Sequence, residues 1–161
     1  MITTDMQLTP HFKLGELVRS DSHPEAVQMP NEQQVENLRR VCAWLEQLRF
    51  RYNKLYPRED GLEEPVHINS GYRCPMLNAA VGGSPTSNHL TGCAVDIRCG
   101  DKDYYDRAKR AVRYATILIG IAHDEGWDFD EIIIERLGTS WWVHFAVKPA
   151  GNRNKVTCIT G

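Results

Sequence analysis

Apolar residues recur at three- and four-residue spacing through Val35, Leu38, Val41, Cys42, Leu45 and Leu48, with Glu36, Arg39, Arg40, Glu46 and Gln47 between them. That pattern predicts an amphipathic helix with one buried face. Pro30 and Asn31 open it, Glu32 sits where the positive helix end favours an acid, and it should end within residues 52–55. A second long helix starts at Asp101 or Asp103 and closes at Gly126. Its expected buried face is Ala108, Ala111, Val112, Ala115, Leu118, Ile119 and Ala122.

The period changes elsewhere. Residues 66–69, 94–97, 132–135 and 141–147 read as strands, the last two joined by a turn around Gly138. Residues 75–81 predict a short helix ended by Gly82-Gly83, and residues 11–19 a short helix or an extended arm on the domain edge. Residues 54–65 are polar, with two prolines and Asp60-Gly61, and read as a surface loop. No repeat, low-complexity run or linker interrupts the chain. The expected architecture is a single α+β domain over residues 1–161, a small antiparallel sheet with helices packed on one face.

Composition narrows the function classes. A length of 161 residues with 42% hydrophobic content supports one well-buried domain and is short for two. A net charge of −2 leaves no footprint for nucleic acid. The apolar runs at 115–122 and 132–134 fall short of a membrane span. The start, M-I-T-T-D-M-Q-L-T-P, has no basic region followed by an apolar core, so the expectation is a product made in the cytoplasm without a signal peptide. It would reach any cell-wall target by release or delivery, and it is expected to be a monomer. Five cysteines, without zinc-finger spacing, read as reduced thiols. Cys74 and Cys93 are the two near enough to the chemistry below to ligate metal or act as nucleophiles.

That chemistry lies in residues 70–97, S-G-Y-R-C-P-M-L-N-A-A-V-G-G-S-P-T-S-N-H-L-T-G-C-A-V-D-I. His89 and Asp96 stand seven residues apart with a Thr91-Gly92 turn between them, and W-W-V-H-F adds His144. Two imidazoles and one carboxylate are a ligand set for catalytic zinc that leaves a fourth position for water. Asp96 shares a strand face with Ala94, whose small side chain leaves room beside the carboxylate. With Gly138-Thr139 at the centre of the turn, Ile133 lies opposite His144 and Glu135 opposite Trp142. Glu135 then shares a face with His144 and fits a general base; otherwise it is a surface carboxylate paired with Arg136 or a lysine. Arg73 fits a contact to a substrate carboxylate or oxyanion, or an ordinary salt bridge, and Ser87 a supporting donor. His67 should face away from the core; His11, His23 and His123 read as surface, packing or capping residues.

The run S-G-Y-R-x-P-x-L-N-x-x-V-G-G-S-x-x-S-x-H-L-x-G-x-A-x-D-I, followed by F-D-E-I-I-I-E and W-V-H, resembles the M15 zinc peptidases. These are D-alanyl-D-alanine carboxypeptidases and related peptidoglycan peptidases, phage endolysins among them. H-F-K-L-G-E-L-V-R-S is similar to the opening of one branch of that family, so the resemblance spans residues 11–147. It implies a hedgehog/DD-peptidase-like fold, zinc on His89, Asp96 and His144, and substrate binding by Arg73. In many members the catalytic glutamate stands three residues before the last histidine; here that position is Trp141, which leaves Glu135 as the replacement. The implied activity is zinc-dependent hydrolysis of a peptide bond in peptidoglycan stem peptides or cross-links. The alternative is a zinc-stabilised cell-wall or protein binding module without turnover, since hedgehog domains look similar around zinc. A carboxylate at Glu135 separates the two, because a binding module has no need of it.

Overall fold

A computed structural model describes residues 1–161. The chain opens with strand β1 (Gln7–Thr9), strand β2 (Phe12–Lys13) and helix α1 (Leu14–Val18). The segment 11–19 is thus half strand and half helix, and its apolar residues Phe12, Leu14, Leu17 and Val18 are all buried.

Helix α2 (Glu32–Leu55) begins where its cap predicts. Asn31 Oδ1 accepts the Gln34 N–H and Gln34 Oε1 accepts the Asn31 N–H, both at 2.8 Å, so two amides otherwise left open are satisfied reciprocally. Its expected stripe is buried, joined by Trp44 and Tyr52. Strand β3 (Ile68–Ser70), helix α3 (Pro75–Ala80), strand β4 (Ala94–Arg98) and helix α4 (Tyr104–Glu125) follow. Asp103 caps α4 and Gly126 ends it. Its buried face is Ala111, Tyr114, Ala115, Ile117, Leu118 and Ile121, while Val112 and Ile119 are exposed. Both lie one residue, about 100° of helix, beyond buried positions, and the large Tyr114 turns the face toward itself.

The main sheet runs β3-β4-β6-β5-β7, with β5 (Glu131–Leu137), β6 (Ser140–Ala146) and β7 (Lys155–Thr160). Four strands are antiparallel as expected. The fifth, β7, had no counterpart in the sequence reading and adds parallel to the outer edge of β5, so the sheet is mixed. The β5–β6 turn fixes the register: Leu137 pairs with Ser140, Glu135 with Trp142 and Ile133 with His144.

One sheet face, carrying Val95, Ile97, Ile132, Val143 and Phe145, is fully buried in a core shared with α2 and α4. Trp44 of α2 lies with its ring centroid 5.0 Å from that of Phe145. By strand alternation the other face carries Asp96, Ile133, Glu135, Trp142 and His144. That face is not covered by the long helices, and it holds the chemistry. No helix is long and apolar enough to cross a membrane. The 54–65 loop lines other cavities and does not overhang this face.

Candidate metal centre

Three elements converge on one point. Asp96 lies mid-strand in β4 and pairs directly with His144 of β6. His89 comes from a 3₁₀ turn, Asn88–Thr91, entered through Ser87, whose Oγ accepts the His89 N–H at 3.2 Å. Gly92 closes that turn at φ 75° and passes against the Gln34 carbonyl, where a side chain would clash. The sequence therefore bends His89 back onto the β4 strand that follows it.

The donor atoms of His89, Asp96 and His144 all lie within 4.8 Å of one another. Asp96 Oδ1 stands 3.4 Å from His89 Nε2 and 3.1 Å from His144 Nδ1. The two imidazoles meet edge to face, with centroids 5.2 Å apart. His89 is oriented from behind: its Nδ1 donates to the Gly71 carbonyl at 2.7 Å. A carbonyl only accepts, so Nδ1 carries the proton and neutral His89 presents a lone pair on Nε2. That Nε2 is buried, has no hydrogen-bond partner, and faces a carboxylate oxygen. A lone pair set against an anion is relieved by a cation between them, so these residues fit a metal ion.

Burial opposes ionisation of Asp96, but positive charge on the His89 and His144 rings, when they are protonated, outweighs it and holds the carboxyl well below its usual range. Burial likewise opposes a charged His144, yet its hydrogen bond to Asp96 leaves the imidazole above its ordinary value. The cluster is an anionic pocket lined by nitrogen donors.

Six of the residues singled out from the sequence border one cavity of about 810 Å³: Arg73, Ser87, His89, Asp96, Glu135 and His144. Glu135 Oε2 accepts from Trp142 Nε1 at 2.7 Å, which fixes the carboxylate on the His144 face. Burial, with the Asp96 charge adding to it, raises the Glu135 pKa above the usual carboxylate value. Arg73 is held by Ser70 Oγ, 3.1 Å from Nε, and by Asn78 Oδ1, 3.2 Å from Nη1, with Nη2 3.6 Å from Asp96 Oδ2. Trp141 lies on the opposite sheet face, its ring 5.8 Å from that of Tyr104. In an unbroken strand the residue three before His144 cannot share its face, which is why a carboxylate serving this centre must come from elsewhere.

Other candidates are set apart. Cys74 and Cys93 are buried and do not border the cavity. The Cys74 thiol caps α3, accepting from the Leu77 N–H and donating to the Ala26 carbonyl. Burial pushes the Cys93 thiol up in pKa, away from a reactive thiolate. His67 is exposed. His11 bonds Glu46, His23 bonds Ser22 and His123 contacts Asp124.

The sequence reading missed a buried charge cluster on the same cavity. The Asp130 carboxylate is fully buried and accepts from Arg153 Nη2 at 2.8 Å, Arg153 Nε at 3.1 Å and Asn88 Nδ2 at 2.9 Å, with Lys148 Nζ 3.4 Å away. The hydrogen bonds from Arg153, reinforced by Asn88 and Lys148, hold its carboxyl well below the usual range. Asn88 immediately precedes His89, so this cluster ties the ligand-bearing turn to the start of β5.

The curated proteins include no sequence that matches this chain. A family profile described as Peptidase M15 matches residues 10–127, well over half of the chain, and takes in Arg73, Ser87, His89 and Asp96. Glu135 and His144 lie beyond it, brought to the same cavity by β5 and β6. With that match and a part-buried His/Asp/His centre on one open sheet face, the chain belongs to the peptidase M15 family.

Proposed function

We propose that the chain, working as one domain, is a zinc-dependent peptidase that hydrolyses a peptide bond in peptidoglycan stem peptides or cross-links. The observation that carries this is the buried, unpartnered His89 Nε2 aimed at Asp96 Oδ1, with His144 Nδ1 on the same oxygen. Donors each about 2.1 Å from a tetrahedral zinc stand roughly 3.4 Å apart, close to the 3.1 Å and 3.4 Å between these atoms. Bound zinc supplies a Lewis acid for the scissile carbonyl and lowers the pKa of water.

The remaining work falls to the chain's own residues. Glu135, fixed through Oε2, takes a proton from the attacking water and passes it to the leaving nitrogen, so that a carboxylate and an amine depart. Arg73 sets a positive charge beside the reacting carbonyl and steadies the oxyanion or a substrate carboxylate. Ser87 lends its hydroxyl proton to the same substrate while holding the His89 amide. The peptidoglycan assignment is supported by the S-G-Y-R and S-x-H-x-x-G-x-A-x-D runs and implies release or delivery to the cell wall.

Metal analysis of dialysed protein should find one zinc per chain, lost in His89→Ala and His144→Ala, and a chelator should stop muropeptide hydrolysis. Full zinc in both variants would sink the ligand assignment. Zinc without any turnover would make the chain a binding module instead.

A further inference from the structure

The metal-facing cavity does not stop at Arg73. Arg73, Val81 and Asp96 border it on one side and, on the other, border a second cavity of about 380 Å³. This chamber lies between the segment after α1, the edge strand β3 and α3, and Arg19, Ser20, Ser22 and Asn69 line it. Its volume is in the range of small-ligand sites, about 300–1,000 Å³. The hydroxyls and the amide are uncharged donors and acceptors, the chemistry that matches peptide N–H and C=O groups. Arg19 is half exposed, and its Nε stands 3.5 Å from an Asp21 that is 87% exposed. Such a pair is weak, which leaves the guanidinium available to a substrate.

Arg73 stands at the junction of the two cavities. Its Nε donates to Ser70 and its Nη1 to Asn78, while Nη2 faces Asp96, so the guanidinium is fixed in place and keeps further N–H groups for substrate. It is a post in the cleft wall, with open space on both sides.

We propose that this chain is an endopeptidase whose substrate runs past the metal centre into the second chamber, with peptide on both sides of the scissile bond. The inference rests on the peptidase reading above. Water adds across the internal amide, its hydroxyl to the acyl carbon and its hydrogen to the departing nitrogen, and both products are peptides.

The test compares zinc-loaded protein on cross-linked muropeptide dimers and on uncross-linked pentapeptide monomers. Dimers should be cut, with release of a single terminal residue from monomers at least tenfold slower. Asn69→Trp, which fills the chamber from an exposed strand position, should lower dimer kcat/KM about tenfold with zinc content and Tm unchanged. Arg19→Ala, a milder change, should lower it in the same direction. Terminal trimming as fast as dimer cleavage would overturn the endopeptidase mode and leave the peptidase reading standing. So would a normally folded Asn69→Trp and an Arg19→Ala that both cut dimers like wild type. Hydrolysis of neither substrate would overturn both.

Discussion

Glu135 sits half-buried with one carboxylate oxygen tied to the Trp142 indole and the other free to work. A raised pKa brings a carboxylate closer to the range in which it both takes and returns a proton. None of the three proposed ligands depends on it. Glu135→Gln keeps an acceptor for the Trp142 N–H and removes only the site that takes a proton. The expected result is unchanged zinc and Tm with turnover down by roughly two to four orders of magnitude. Turnover near wild type would remove Glu135 as the base.

At the scale of elements, the metal centre depends on a contact far from it in sequence. The Leu17 carbonyl at the end of α1 accepts the Tyr72 N–H at 2.7 Å, pressing Gly71 against the α1 backbone. A methyl group on Gly71 would overlap the Leu17 carbonyl, so only glycine lets the two segments meet. Gly71 in turn gives its own carbonyl to His89 Nδ1. Gly71→Ala should cost about 1–3 kcal/mol through overpacking. It should also weaken zinc binding, read as faster zinc loss to a competing chelator. Unaltered zinc loss with lowered stability would show that the carbonyl does not orient the histidine.

The same elements show what was legible beforehand. Both long helices follow from caps and a 3.6-residue period, and a two-residue turn at Gly138-Thr139 settles the parity that puts Glu135 beside His144. Strand β7 escaped because five of its six residues are exposed, so its alternation marks no buried face. The α4 face was misplaced at Val112 and Ile119 because period alone does not locate the centre of a stripe. The role of Gly71 is a tertiary contact, and nothing local announces it. The Asp130–Arg153 pair spans 23 residues and a loop, beyond the reach of any spacing rule.

At the scale of the whole molecule, Asp130 joins four segments. Its side chain takes donors from the His89 turn through Asn88 and from Arg153 just before β7, with Lys148 beyond β6 close by. Its backbone bonds Ala146 of β6 and Lys155 of β7. Removing one partner from a buried charged cluster costs about 3–5 kcal/mol, and the partial exposure of Arg153 and Lys148 places Asp130→Asn near 3 kcal/mol. That corresponds to a fall in Tm of roughly 6–12 °C for a chain of this size. The folded-state pKa of Asp130 is depressed, so its contribution is complete above the unfolded value of about 3.9 and is lost as pH falls through the folded value. In chelator-treated protein, where zinc cannot contribute, the Tm gap between wild type and Asp130→Asn should therefore be widest near neutrality and narrow below about pH 4. A gap that stays constant into strong acid would assign the loss to packing rather than charge, and the cluster would no longer explain how the start of β5 is held to the His89 turn.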